Sequence, residues 1–147
     1  MAYRCVANVM FAVVTLAASA ALADGIDPGL WMITTHTESD GVAGPTHESS
    51  KCLTGAQTGD LGATFSPIPA TVNSVCAPME RSLKGPLLTW HLVCTGQLNM
   101  ELSGSFDFDS PHHYTGTVQT KAEMQGMPNV DSQNTIEGEW VSACPQQ

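Results

Sequence analysis

Between Leu87 and Val141 an apolar or small residue recurs at every second position, and that period restricts most of the C-terminal half to β structure. Leu88, Trp90, Leu92 and Cys94 share one parity. Leu98, Met100, Leu102, Gly104, Phe106 and Phe108 continue it, alternating with Asn99, Glu101, Ser103, Ser105, Asp107 and Asp109. Tyr114, Gly116, Val118, Ala122 and Met124 follow, and then Ile136, Gly138 and Trp140. A period of two puts one face of a strand in a core and the other in water, whereas a helix would space the same residues three and four apart.

The interruptions are turn chemistry. Lys84-Gly85-Pro86, Thr95-Gly96-Gln97, Asp109-Ser110-Pro111 and Gln125-Gly126-Met127-Pro128-Asn129 separate the runs. Glycine permits positive φ and proline presets a turn. Short turns between successive strands predict a meander of antiparallel hairpins. Upstream, Leu30–Thr37 and Thr46–Leu53 read as a hairpin around Asp40-Gly41. Thr54–Phe65 reads as a helical turn with Thr54 as N-cap, and Ser66–Ala70 as an extended connection. The expected fold is all-β, an antiparallel meander of about seven strands. Its single apolar face must find cover by curling into a barrel or half-barrel, or by folding into a sandwich. Gly104, Gly116 and Gly138 on the inner face would let strands bend or leave room for Trp31, Trp90 and Trp140.

The first 23 residues are of a different kind. Arg4 is followed by an apolar run from Cys5 that ends in Ala21-Leu22-Ala23, the pattern of a cleavable secretory signal. The expected mature chain is residues 24–147, one exported β domain, periplasmic or secreted. After cleavage at Ala23 no apolar segment long enough to span a membrane is left. Cleavage would also remove Cys5, leaving Cys52, Cys76, Cys94 and Cys144. An even count in an oxidising compartment predicts two disulfides, and no C-x-x-C pair suggests a zinc or redox motif. With Gly85 at the centre of a hairpin, Cys76 and Cys94 fall opposite each other, which leaves Cys52 for Cys144. The parity around Cys76 favours Val75, Ala77 and Met79 instead, so this pairing calls for a bulge near Pro78 or a Cys76 just outside the strand.

The mature region carries 14 Asp and Glu against Lys51, Arg81, Lys84 and Lys121, a net charge of −10. With no basic stripe, nucleic acid and anionic membrane are poor partners.

Several segments resemble domain-of-unknown-function family 3617, small exported bacterial proteins. They are Gly29-Leu30-Trp31, Lys51-Cys52-Leu53-Thr54, Cys76, and Thr89-Trp90-His91-Leu92-Val93-Cys94-Thr95-Gly96. Gly104, Tyr114-Thr115-Gly116-Thr117, Gln125-Gly126-Met127-Pro128 and Cys144 complete the set. The resemblance spans nearly all of the mature chain. It implies an exported β domain in a Gram-negative periplasm and no known activity. The first hairpin departs from the family, whose loop there is often rich in Met, Pro and Gly. Here it reads Glu38-Ser39-Asp40-Gly41-Val42-Ala43-Gly44-Pro45, so a role tied to a Met-rich loop does not carry over.

Candidate chemistry is sparse. Trp31, Trp90 and Trp140 could line a pocket for a small apolar ligand, or simply fill the core. His36 and His47 would face each other across the first hairpin and could hold Zn²⁺ or Cu²⁺, with one of His112 and His113 as a further ligand. Met32, Met79, Met100, Met124 and Met127 could suggest a soft metal, although Met32, Met100 and Met124 fit the core pattern. Asp107 and Asp109 share a strand face, as a carboxylate pair for acid–base work would, but also as the wet side of a strand does. There is no G-x-S-x-G elbow and no cofactor motif. The leading expectation is a non-enzymatic exported domain that binds a small apolar molecule or an envelope protein. A periplasmic metal-binding protein using His36 and His47 is the second, and a hydrolase without a recognisable motif the third.

Overall fold

The structure is a computed structural model that describes residues 25–67 and 74–145. The leader expected over residues 1–23 and the end of the connection expected over Ser66–Ala70 lie outside the described residues. Eight strands follow in order: β1 (Gly29–Ser39), β2 (Val42–Leu53), β3 (Ser74–Cys76), β4 (Glu80–Lys84), β5 (Leu87–Gly96), β6 (Leu98–Ser110), β7 (His113–Met124) and β8 (Val130–Ser142). Two short helices, α1 (Gly55–Gly59) and α2 (Leu61–Thr64), lie between β2 and β3. All strands join one antiparallel sheet in the order β2-β1-β8-β7-β6-β5-β3, with β4 also paired to β5.

The meander is as expected, but it neither closes into a barrel nor splits into a sandwich. The last strand returns beside the first, yet among the described residues β2 has β1 as its only neighbour, and β3 and β4 have only β5. Both free edges are broken. In β2, Glu38 pairs with Ala43 but His36 with Thr46, so one extra residue is accommodated near Gly44-Pro45. Cys76 pairs with Cys94 but Glu80 with His91, which again adds one residue around Pro78. Proline has no N–H for the ladder and bulges re-aim a strand, so neither edge offers a continuous template for a further strand. The second interruption also turns the expected third strand into β3 and β4.

The same interruption settles the parity around Cys76. The extra residue moves Cys76 onto the inner parity, and it is bridged to Cys94. Cys52 is bridged to Cys144. Cys52 pairs with Leu30 in β1, and Leu30 in turn with Ser142 in β8, so this bridge fastens the outer strand β2 across β1 to the chain just past β8.

One face of the sheet carries the core. Trp31, Leu88, Trp90, Phe106, Phe108 and Tyr114 are buried there with Leu53, Leu61 and Ile26. The helical segment covers this face. Thr54 caps α1 as the sequence suggests, in a capping box: its hydroxyl accepts from the Gln57 N–H, and the Gln57 side chain accepts from the Thr54 N–H at 2.9 Å. Asp60 accepts from the Ala63 N–H at 2.9 Å and starts α2. The chain then delivers Phe65 onto the sheet, with ring centroids 5.3, 5.0 and 4.9 Å from Phe106, Phe108 and Tyr114. The Trp90 indole N–H donates to the Phe65 carbonyl at 2.9 Å and ties this plug to β5.

The opposite face is largely polar, with Met32, Leu87 and Val93 exposed on it. One row across seven strands reads Ser82, Thr89, Ser105, Thr117, Thr135, His36 and Thr46. Threonine and serine suit a pleated surface that is wet on one side. A binding site for an apolar molecule therefore has to be sought on the inner face, where the plug meets the sheet.

Candidate functional site

The three tryptophans do not form a shared pocket. Trp31 and Trp90 are almost fully buried, one on β1 and one on β5. Each indole N–H is taken by a backbone carbonyl: Trp31 by Asp27 at 3.1 Å, Trp90 by Phe65 at 2.9 Å and Trp140 by Pro28 at 3.2 Å. Trp140 stacks on His112, 4.7 Å between centroids. These rings build the core and pin the segment before β1.

Nor do His36 and His47 face each other. The extra residue at Gly44-Pro45 puts His36 opposite Thr46 and His47 opposite Thr35, so the two imidazoles point to opposite faces of the sheet. His36 Nδ1 lies 2.9 Å from the Thr46 hydroxyl on the wet face. Among the described residues no three His, Cys, Asp or Glu side chains gather as a metal site would require. His112 and His113 are on separate errands. His112 Nε2 lies 3.0 Å from Asp27 Oδ2. His113 is held between two carboxylates, with Nδ1 2.8 Å from Asp109 Oδ2 and Nε2 3.2 Å from Glu137 Oε1.

Of the carboxylates Asp107 and Asp109, the structure places Asp109 against the His113 imidazole. Both ring nitrogens of His113 thus lie against carboxylates, Asp109 on one side and Glu137 on the other. The hydrogen bond to Asp109 is the main cause of a raised His113 pKa; burial opposes it, and Glu137 adds to the rise. A group with a raised folded-state pKa contributes stability that is complete below its unfolded pKa and is lost as pH rises through its folded one. Thermal melts of the wild type and His113→Gln should therefore differ most near pH 5.5 and least near pH 8.5. An equal difference at both would show that the imidazolium does not hold β6–β8 together.

Among the surface recesses, one lies between the plug and the inner face of β1, β2, β6, β7 and β8. It has a volume of about 220 Å³ and is lined by Ile33, Thr35, Lys51, Leu53, Thr64, Phe65, Phe106, Tyr114 and Ile136. Its walls exist for local reasons. Ile33 and Ile136 belong to adjacent strands, with Ile136 paired to Thr35 and to Gly116. Phe65 is set by the plug, and Tyr114 lies flat over Gly138, where a side chain would collide with its ring. Burial pushes the Tyr114 pKa up to about 12, so its phenol stays protonated at all physiological pH values. None of these lining residues except Lys51 carries a formal charge.

A model of a family described as "Protein of unknown function (DUF3617)" matches residues 26–144. The chain belongs to the DUF3617 family. The match runs from the buried Ile26 to the bridged Cys144, and so takes in the whole described sheet, the plug and both disulfides of this DUF3617 domain. No curated protein and no solved structure matches it. Of the residues that line the cleft of this DUF3617 protein, sequence periodicity marked Phe106, Tyr114 and Ile136 as inward-facing, but nothing singled out the recess. Its position depends on where Phe65 lands, which no alternation pattern encodes. Among the described residues no helix is long and apolar enough to cross a membrane.

Proposed function

We propose that this is an exported, non-catalytic β domain that holds a small apolar molecule in the cleft between the plug and the sheet. The cleft itself carries the reading: an apolar concavity with a few polar groups at its walls is the usual form of a small-molecule site. Its volume is below the roughly 300–1,000 Å³ of drug-sized pockets, so the occupant is small. The signal-like leader and two disulfides support an oxidising compartment outside the cytoplasm. His113, with both nitrogens taken by carboxylates, supports a structural role for the most suggestive polar cluster.

Native mass spectrometry of the protein purified from its own exported compartment, without chelator, tests this. The expected spectrum contains a discrete added mass, and that mass disappears in Ile33→Trp, where an indole fills the cleft. An N-terminus at Asp24 would support export. A bare mass in the wild type would overturn a tightly held ligand and direct attention to protein partners.

A further inference from the structure

The polar groups of the cleft specify more than an apolar occupant. Lys51 is its one charged wall residue, no carboxylate lines it, and Lys51 makes no ion pair among the described residues. Residues 24–147 hold only four Lys and Arg against 14 Asp and Glu. Arg81, Lys84 and Lys121 make no ion pair among the described residues either, so what sets Lys51 apart is its place at the edge of an apolar recess. The register explains how it gets there: Lys51 pairs with the buried Trp31, so it shares the inner face.

Two neutral hydroxyls accompany it. Thr35 and Tyr114 both line the cleft, and neither side chain makes a hydrogen bond to a described residue. Thr64, by contrast, donates to the Gln57 carbonyl at 2.7 Å and is already engaged. A protonated phenol, a hydroxyl and an ammonium all donate hydrogen bonds, and an ammonium cannot accept one. Donors with a positive charge beside an apolar wall complement an acceptor with a negative charge on an apolar tail.

Resting on the proposed ligand-binding role of this cleft, we infer that its ligand is an amphipathic carboxylate. The apolar tail lies against Ile33, Phe65, Phe106 and Ile136, and the carboxylate is met by Lys51 with Thr35 and Tyr114 as donors. A cationic or zwitterionic molecule of the same tail is disfavoured, since no acidic side chain is there to receive it.

Isothermal titration of the full mature protein with octanoate, octanol and octylamine, three probes with a common tail, separates the possibilities. The expected order is octanoate first, octanol about fivefold weaker, which corresponds to roughly 1 kcal/mol for a solvent-accessible charge contact, and octylamine weakest. In Lys51→Gln the advantage of octanoate over octanol disappears while octanol binding is kept. Lys51 is exposed, so its replacement leaves the core untouched, which an unchanged melting temperature would verify. Equal binding of octanoate and octanol to the wild type overturns the carboxylate inference and leaves the apolar cleft standing. Binding of none of the three overturns the ligand-binding reading together with it. An octanoate preference that survives in Lys51→Gln also overturns it, because the anion would then be held elsewhere.

Discussion

Replacing Cys52 and Cys144 together by alanine is expected to cost about 4–5 kcal/mol, and to lower the melting temperature by roughly 15–20 °C. The first figure comes from the loop the bridge closes. The two cysteines are 92 residues apart, and a cross-link over about 100 residues removes that much chain entropy from the unfolded state. The second follows from about 4 °C per kcal/mol for a domain of this size. The native fold gives a reason to expect the full effect. β2 is an edge strand of 12 residues of which only Leu53 is buried. Its ladder to β1 is interrupted near Gly44-Pro45, so little apolar burial secures it. The bridge holds the Leu53 end, and Leu53 belongs to the core beneath the plug. Loss of the bridge should thus free β2 and loosen one wall of the cleft. Cys76–Cys94 spans 18 residues and should contribute about 3 kcal/mol by the same reasoning. Urea titration of the double-alanine variants measures both. A loss below about 1 kcal/mol for the 52–144 pair would mean that the ladder to β1 secures β2 unaided.

How far the sequence could be read depends on which kind of information each feature needs. The inward parity of Leu88, Trp90, Phe106, Phe108 and Tyr114 was legible because it requires only alternation, and all five are buried. Thr54 as N-cap was legible because capping is local, whereas the reciprocal bond with Gln57 emerged only in the structure. The Cys76–Cys94 bridge was legible from hairpin symmetry, but only with an extra residue near Pro78, and the register shows one there. The His36–His47 pair failed for the same kind of reason in reverse. An inserted residue at Gly44-Pro45 shifts the register by one, and a shift of one exchanges the faces of a strand. Turn residues mark where a hairpin bends, but a bulge close to the bend decides which side chains meet beyond it.

Closure of the sheet was illegible for a different reason. A meander whose last strand returns to its first suggests a barrel, and only the two outermost strands determine whether it closes. In this chain both are interrupted at a proline, and residues 54–67 after β2 fold into the plug. The cleft is a product of that outcome. Were β2 and β3 paired, the recess between plug and sheet would have no open side.

The second large effect is expected at the inner glycines. Trp90 pairs with Gly104, Phe106 with Gly116 and Tyr114 with Gly138, and each ring lies over the glycine opposite it on the next strand. The three steps form a staircase of rings from β5 to β8. Alternation places these glycines on the inner face, where they could let strands bend or leave room for the tryptophans; of the tryptophans only Trp90 takes such a space, and Phe106 and Tyr114 take the other two, because the occupant is fixed by cross-strand register. None of the three glycines has positive φ, so a side chain there is not opposed by the backbone conformation. It is opposed by the ring: a methyl group on Gly138 would fall inside the van der Waals envelope of the Tyr114 ring carbons. Tyr114 cannot move away cheaply, because Trp31 and Phe65 pack on it at centroid distances of 5.3 and 4.9 Å. Gly138→Ala should cost about 2–3 kcal/mol by overpacking. Tyr114→Ala should cost about 3–5 kcal/mol by emptying the site. In the double variant the added methyl meets no ring, so the combined loss should fall short of the sum by about 1–2 kcal/mol. Urea unfolding of the two single variants and the double one measures that shortfall. Strict additivity would mean that Gly138 is needed for something other than the ring above it. A shortfall would identify the staircase as the device that lets a sheet with two free edges pack large aromatic rings flat against its own inner face, and so keep a floor for the cleft.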